Sequence, residues 1–185
     1  CRLICQNYHD YRYLRKHVNI DISFIMGSGG ISVPKKGPMK NCTVLVTREG
    51  KLGLQRESIE KFLTTHHDEI DVVGLSQNEQ LAHCRMTSVG WMEREKIFGM
   101  YEKFFHPSGY GEGFPHVLAD ALRNGLDVTI PKRDFVNYGL YRVSEIDDRV
   151  SGFVKIASNS KTFEFLDVGE INKQYMRVIT DFMRD

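Results

Sequence analysis

Residues 104–130, FFHPSGYGEGFPHVLADALRNGLDVTI, run from a short aromatic strand through a glycine-rich loop into a helix and on to a second strand. The apolar residues between 117 and 122 share one helix face. Pro115 falls in the first turn of that helix, and Gly125 can form a left-handed cap at its end. The pattern predicts a strand–loop–helix–strand unit, with a helix over 117–124 whose N-terminus points at the ligand-binding edge of a sheet.

Similar strand signals recur along the whole chain. Short apolar, β-branched or aromatic runs predict strands over 2–5, 21–26, 43–46, 70–74, 87–91, 103–105, 128–130 and 153–156. Segments with helical spacing lie between several of them, such as the one that follows a predicted N-cap at Asn7 and the one over 55–66. Nearly continuous apolar strands joined by helices predict an α/β fold, a Rossmann-like doubly wound parallel sheet covered on both faces.

A segment rich in glycine and proline divides the chain. Residues 27–38 contain four glycines and two prolines and carry no helix or strand pattern, which predicts a linker. The predicted division is a stub over 1–26, a linker over 27–40 and a larger domain over 41–185. Because the chain begins with Cys1 and not with Met, we expect it to be a piece of a longer protein.

The last helix is amphipathic. Asp167 and Glu170 resemble a capping box at its start. The apolar residues that follow form one stripe: Ile171, Tyr175, Val178, Ile179 and Phe182. We expect this stripe to pack on the domain's own sheet, and a partner domain is the alternative.

The composition is that of an ordinary globular domain. Charged residues nearly balance, with 25 Lys plus Arg against 24 Asp plus Glu, and 41% of the residues are apolar, which excludes collagen, low-complexity disorder and a disulfide-rich miniprotein. A net charge of +1 leaves no global field to attract nucleic acid, so we expect a small ligand and no nucleic-acid partner. No apolar run approaches the roughly 20 residues that cross a bilayer, and the cysteines are scattered, so we expect a cytoplasmic location with reduced thiols.

The glycines of residues 27–30, GSGG, follow a predicted strand and invite comparison with the dinucleotide-binding fingerprint. Ser32 occupies the third glycine position, Pro34 follows, and no helix begins there to receive a pyrophosphate. A flexible connector is the preferred interpretation, and a loop near a bound phosphate is the alternative.

The loop over 106–115 has the features of a phosphate site. A strand end, several glycines and a helix N-terminus coincide there, so backbone N–H groups and the helix dipole favour an anion. Glu112 precedes the helix, and Asp120 lies eight residues further on. Two such carboxylates can accept hydrogen bonds from sugar hydroxyls, whereas an acidic residue at a helix start can also be only a stabilising cap.

Together these residues resemble the donor-site signature of GT-B glycosyltransferases, in particular the large retaining family of glycogen-synthase-like and mannosyltransferase-like enzymes (GT4-like, glycosyl transferases group 1). The order of proline-serine, glutamate-glycine-phenylalanine-proline, apolar helix, glycine and strand carries the resemblance within 107–130. Residues 44–48 and 89–91 resemble further strand ends of the family's C-terminal domain. The resemblance implies one half of a GT-B architecture, with residues 1–26 as the end of the N-terminal domain.

The resemblance implies roles for individual residues on the donor side. Glu112 would bind hydroxyls of the donor sugar, and Asp120 would bind the ribose hydroxyls. Backbone amides at the helix start would meet the diphosphate or sugar, and another strand end would flank the base. These residues are Gly113, Phe114 and His116 at the helix start, and Val89 and Gly90 at the strand end. The family has glutamate where this chain has Asp120, and the shorter carboxylate reaches less far.

The same resemblance implies a basic pair. Arg48 and Lys51 would neutralise the charge that develops on the leaving diphosphate, and with Glu112 they form the implied catalytic set. The family's lysine comes somewhat later in the sequence, so Arg56 is an alternative to Lys51. Neither a metal nor another cofactor is implied.

The implied function is to bind a nucleotide-diphosphate sugar and to transfer its sugar, with retention, to a glycan or lipid-linked acceptor, as in surface polysaccharide assembly. The implied partner is the N-terminal GT-B domain, of which the chain holds only a strand and a helix. The expected location is the cytoplasm, or the cytoplasmic membrane face through a parent protein. Two alternatives stay open: a non-catalytic Rossmann-like binding or interaction module with a degenerate donor site, and a GT-B-shaped epimerase that needs no acceptor.

Overall fold

The structure, a computed structural model, describes residues 2–35, 37–76, 81, 83–107, 113–142, 152–157 and 160–184. Its strands are β1 (Arg2–Cys5), β2 (Asp21–Phe24), β3 (Lys40–Val46), β4 (Ile70–Val73), β5 (Met86–Gly90), β6 (Tyr101–Phe105), β7 (Asp127–Pro131) and β8 (Phe153–Ile156). Its α-helices are α1 (Tyr8–His17), α2 (Glu49–Thr65), α3 (Arg94–Met100), α4 (His116–Arg123), α5 (Lys132–Asn137) and α6 (Val168–Arg184). Two 3₁₀ helices span Leu140–Arg142 and Ser160–Leu166.

Six strands form the central sheet, in the order β5-β4-β3-β6-β7-β8. All neighbours run parallel except β8, which pairs antiparallel with β7. The first of these strands in the chain, β3, lies in the middle of the sheet, and the chain adds β4 and β5 on one side and then β6 to β8 on the other. The prediction of a Rossmann-like doubly wound α/β fold is confirmed.

Alternating side chains of the central strands bury both faces of the sheet. Val44 and Phe104 belong to the core cluster that contains residues of α3 and α4, whereas their neighbours Leu45 and Phe105 belong to the cluster that contains Phe62 of α2. Successive side chains of a strand point to opposite faces, so apolar residues at adjacent positions require helices on both sides. This explains why the strands appear in the sequence as continuous apolar runs.

The N-terminal unit consists of β1, α1 and β2, and it is a separate two-stranded parallel sheet with one helix. The predicted N-cap is confirmed, because the Asn7 side chain accepts the amide of His9 at 2.8 Å. Helix α6 reaches this unit: the Arg2 guanidinium donates to the Val178 carbonyl at 3.3 Å, and Gln6 Nε2 donates to the Tyr175 hydroxyl at 2.7 Å.

The apolar stripe of α6 does not pack as expected along its whole length. Ile171 is fully buried, and Tyr175 contacts the N-terminal unit. Ile179 and Phe182 are exposed, so the expectation that the stripe packs on the domain's own sheet is wrong for these two residues. The start of the helix is capped by Asp167, which accepts the amide of Gly169 at 2.9 Å.

The glycine-rich segment after β2 is packed against helices, and β3 begins at Lys40, the last residue of the predicted linker. A Cβ on Gly29 would lie 2.5 Å from the Cα of Val168, and one on Gly30 would lie 2.7 Å from the carbonyl of Ala119 in α4. Gly30 also donates its amide to Leu166 at 2.7 Å and accepts the amide of Val168 at 3.1 Å. The interpretation as a flexible connector is therefore wrong for these glycines. The division into separate domains over 1–26 and 41–185 stays a prediction.

Helix α4 confirms the helix predicted over 117–124. It begins at His116, with Pro115 at the N-cap, one position before the first turn. Gly125 has φ +69°, its amide donates to Leu122, and the amide of Leu126 donates to Ala121. These two bonds and the positive φ make a Schellman cap, as the glycine predicts.

Candidate functional site

The carboxyl edge of the sheet between β3 and β6 is the place where a doubly wound fold binds ligands. The two strands are parallel neighbours, with Val44 opposite Phe104, and the order of strands reverses between them. Loops that leave such a pair diverge in opposite directions and open a crevice. Arg48 follows β3 at this edge, and His106 follows β6.

The turn after β3 presents the predicted basic pair. Thr47 fixes this turn, because its amide donates to Val73 at 3.0 Å and its hydroxyl donates to Gln55 at 2.6 Å. Arg48 is the exposed N-cap residue of α2, in extended backbone conformation. Lys51 is half-buried in the first turn of that helix. Burial, and then the charge of Arg48, lowers the pKa of the Lys51 ammonium below its ordinary value.

The structure favours Lys51 over Arg56 as the second cation. Lys51 lies close enough to β6 for its charge to act on the His106 imidazole. The Arg56 guanidinium is largely exposed and pairs with Glu60 at 2.7 Å on the surface of α2. The family lysine's role stays a prediction for Lys51, and the geometry gives no support to Arg56.

His106 is a buried polar residue at the switch point that the sequence analysis did not single out. Its exposure is only 4%, and its Nε2 has no hydrogen-bond partner among the described residues. Burial, and to a smaller extent the charge of Lys51, lowers its pKa to about 3. The ring lies 6.2 Å from that of Tyr138, whose hydroxyl likewise has no partner among the described residues. At neutral pH the imidazole is therefore uncharged.

The start of α4 lies beside this cluster. Phe114 is buried and packs edge-on against Tyr138, with ring centroids 5.4 Å apart. His116 is exposed and opens the helix, and no side chain of the described residues caps it. The first amides of an uncapped helix are available to water or to a ligand anion. Glu112 lies outside the described residues.

Gly113 faces the N-terminal unit. A Cβ added to it would lie 2.8 Å from Oε1 of Gln6, so Gly113 lies close to the turn between β1 and α1. An open cleft of about 440 Å³ lies here, lined by Gly113 and by residues of that unit, among them Gln6, Asp10 and Tyr13. In this cleft, Gly113 lies beside polar and aromatic side chains of the N-terminal unit.

The residues expected to flank the base lie at the end of β5. Val89 is half-buried against the core, and Gly90 is buried with φ +79°. The Gly90 carbonyl accepts the amide of Gly74 at 3.0 Å. The next residue, Trp91, is 79% exposed and is thus available for contact with a ligand or partner. The role of these residues toward a base stays a prediction.

Asp120 lies inside the protein, with 0% exposure. Arg94, at the start of α3, donates Nε–H to Oδ2 at 2.9 Å and Nη2–H to Oδ1 at 2.6 Å. Oδ1 also accepts the amide of Ile31 at 2.9 Å. The structure thus brings Arg48, Lys51 and the start of α4 to one edge and gives the carboxylate of Asp120 protein partners. Its predicted contact with ribose stays a prediction.

Arg94 was missed because nothing local marks it. It lies 26 residues before Asp120, on an exposed polar stretch, and its partner is revealed only by the tertiary fold. Among the described residues, no group of three or more His, Cys, Asp or Glu side chains could hold a metal ion. In the same part of the chain, no helix is long and apolar enough to span a membrane.

Comparisons with known proteins support the fold. No protein-family model and no curated protein matches the sequence. Among solved structures, the chain is similar to a chain of the "Crystal structure of GtfA/B complex", with a TM-score of 0.63 and 15% sequence identity. The match covers 100% of this chain but 46% of that one, so the chain spans about half the length of its neighbour. The chain therefore shares the fold of the matched part of that structure, and at this identity the likeness extends to the fold alone.

Proposed function

We propose that the chain is the nucleotide-sugar-binding part of a GT-B glycosyltransferase that transfers the sugar with retention and without a metal ion. The observation that carries the proposal is that two cations and a helix N-terminus lie at the same switch point of the sheet, and no side chain of the described residues caps that helix. Arg48 and Lys51 contribute positive charge from β3, and the amides of Gly113, Phe114 and His116 contribute N–H donors from the β6 side. This combination suits a diphosphate.

Chemically, the site needs charge stabilisation more than proton transfer. When the bond between the anomeric carbon and the diphosphate oxygen breaks, negative charge grows on the diphosphate. Fixed cations and helix amides stabilise that charge at little reorganisation cost, which takes the role that a metal ion has in other sites. Glu112 is the proposed contact of the donor-sugar hydroxyls, and Val89 and Gly90 are the proposed neighbours of the base.

We place the acceptor on the side of the N-terminal unit. The cleft between Gly113 and this unit has the open shape and the polar and aromatic lining that suit a glycan or lipid-linked saccharide. The neighbour's chain is about twice as long and belongs to a complex, which is consistent with a partner domain or chain for this one. Surface polysaccharide assembly, in the cytoplasm or at the cytoplasmic membrane face, is the proposed setting.

One observation favours a second candidate, a non-catalytic module with a degenerate donor site. Asp120, the proposed ribose ligand, is fully buried and engaged by Arg94 and Ile31. A module that has lost its nucleotide chemistry could keep the carboxylate for this internal role alone. Such a module would still fold and would bind no nucleotide.

Calorimetric titration separates the two candidates. The chain is titrated with UDP, GDP, dTDP and ADP, each free and as sugar conjugates, first without metal and then with magnesium. We expect saturable binding of one nucleotide, with Kd on the order of micromolar to millimolar, or about 4 to 8 kcal/mol. No binding of any of these nucleotides by the folded chain would reject the donor site and leave the non-catalytic module.

Substitution of the two cations tests the site itself. Arg48→Ala and Lys51→Ala should each weaken binding of that nucleotide about tenfold, because a charge-assisted hydrogen bond to phosphate is worth roughly 1.5 kcal/mol or more. The matched control is Arg56→Ala, which removes a cation from the same helix but on its exposed surface. Equal effects of all three variants, as measured by titration, would contradict the site.

A further inference from the structure

We call residues 27–30 the glycine loop. The segment that follows this loop is attached to α4 by side-chain hydrogen bonds as well as by packing. Asp120 holds the amide of Ile31 at 2.9 Å. One turn later, Asn124 Oδ1 accepts the amide of Val33 at 2.6 Å, and its Nδ2 donates to the carbonyl of Ile31 at 2.8 Å. Asp120 of α4 and the C-cap residue Asn124 therefore bind three backbone groups of residues 31–33, namely the amide and carbonyl of Ile31 and the amide of Val33. We call Asp120, Arg94, Asn124 and residues 31–33 the clasp.

Within the clasp, Arg94 comes from another part of the chain. It opens α3, which follows β5, and it approaches Asp120 with two parallel N–H groups at 2.9 and 2.6 Å. Such a bidentate pair fixes orientation as well as distance. One buried carboxylate thus joins the segment after β5, helix α4 and the segment that leads out of the N-terminal unit.

The other end of the glycine loop, at Gly27, reaches the residues just before α4, Gly113 and Phe114, which we call the donor loop. A Cβ on Gly27 would lie 3.0 Å from Phe114. The Gly27 carbonyl accepts the Tyr175 hydroxyl at 3.1 Å, and that hydroxyl accepts Gln6 at 2.7 Å. The position of Gln6 against Gly113 therefore depends on where the glycine loop lies. The clasp holds residues 31–33, which follow this loop.

We propose that Arg94 and Asp120 are positioning residues that fix residues 31–33 on α4 and thereby set the spacing between the N-terminal unit and the donor loop. This inference rests on the proposed function, in which that spacing aligns acceptor and donor. It gives Asp120 a different role from the ribose contact that the resemblance implies. Three N–H groups take three of the roughly four acceptor positions of the carboxylate, and the residue has 0% exposure. A ribose hydroxyl could therefore reach the remaining position on Oδ2 only if the surrounding residues moved.

The test uses the whole chain and two changes of different severity. Asp120→Asn keeps the shape but loses the charge, and Arg94→Lys keeps the charge but loses the bidentate geometry. Arg56→Ala, which breaks an exposed ion pair on α2, is the control. For each variant we measure the rate of amide hydrogen exchange at Ile31 and the NMR chemical shifts of the Gly27 and Gly113 amides.

We expect Asp120→Asn to speed amide exchange at Ile31 at least tenfold and to change the chemical shifts of the distant Gly27 and Gly113 amides. Arg94→Lys should give smaller changes of the same kind. Changes confined to the vicinity of residues 31, 94 and 120 would overturn the inference, because a purely local structural role would not reach the donor loop. Unchanged exchange at Ile31 would overturn it as well.

Nucleotide binding provides an independent arm. If the chain binds a nucleoside diphosphate, its preference over the 2′,3′-dideoxy form should be the same in Asp120→Asn as in the unchanged chain. Loss of that preference would assign Asp120 to the ribose and overturn the positioning role. If no nucleotide binds, the proposed function fails, while the exchange and NMR measurements still decide whether the clasp sets the spacing.

Discussion

Lowering the pH from 7 to 4 is expected to cost the chain about 3 kcal/mol of unfolding free energy through His106 alone. The imidazole has a pKa of about 3 in the folded protein and an ordinary value of 6.5 when it is exposed by unfolding. Burial is the main cause of the difference, and the charge of Lys51 is the second. Between these two pKa values, the unfolded chain therefore binds a proton that the folded chain does not bind.

The direction of the pH effect follows from that difference. Above about pH 6.5 the ring is neutral in both states, and the full stability is present. Each pH unit below that value favours the unfolded, protonated state by about 1.4 kcal/mol, until the folded ring also titrates near its own pKa. The window of loss thus runs from about pH 6.5 down to about pH 3.

Urea denaturation at several pH values measures this effect, with His106→Phe as the matched variant. Phenylalanine retains an aromatic ring beside Phe104 and Tyr138 and cannot take up a proton. The difference in unfolding free energy between the two chains cancels the titration of all other groups. That difference should shift in favour of the variant by about 3 kcal/mol between pH 7 and pH 4. If the unfolding free energies of the two chains had the same pH dependence, His106 would be accessible to protons in the folded chain.

Strands and helices of this chain are largely predictable because their signals are local. A few adjacent residues predict the strand over 153–156 and the left-handed cap at Gly125, and both are confirmed. The start of β3 was missed because Lys40, Asn41 and Cys42 do not form an apolar run. Lys40 belongs to the strand because it pairs with Tyr101 of β6, and that pairing joins residues 61 positions apart.

The site was less predictable because its key contacts cross long sequence distances. The glycines of residues 27–30 carry a linker signal in sequence, yet their neighbours are Val168 and Ala119, which no local pattern can indicate. Asp120 looks like a ligand residue because it follows Glu112 by eight residues in the donor-site signature, but Arg94 and Ile31 donate to its oxygens. Propensity and spacing detect elements, whereas close approach and buried ion pairs are properties of the tertiary fold.

The glycine loop offers the other large effect. Gly29→Ala is expected to lower the unfolding free energy by about 3 kcal/mol. Gly29 has φ +87°, a backbone conformation that strains a residue with a side chain by about 1 to 2 kcal/mol. The new Cβ would also lie 2.5 Å from the Cα of Val168, so backbone must move to relieve the contact. Overpacking of this kind adds further cost on the order of 1 to 3 kcal/mol.

Gly53→Ala is the matched control, because it adds the same methyl group where nothing lies within 4 Å. Gly53 lies within α2, so alanine there should raise stability by up to about 1 kcal/mol through helix propensity. Urea denaturation of both variants should therefore give changes of opposite sign. A Gly29→Ala variant as stable as the unchanged chain would mean that the loop moves freely away from α6. The contact between the glycine loop and the donor loop would then not be held by packing, and the spacing that the clasp is proposed to set would have to rest on Asp120, Arg94 and Asn124 alone.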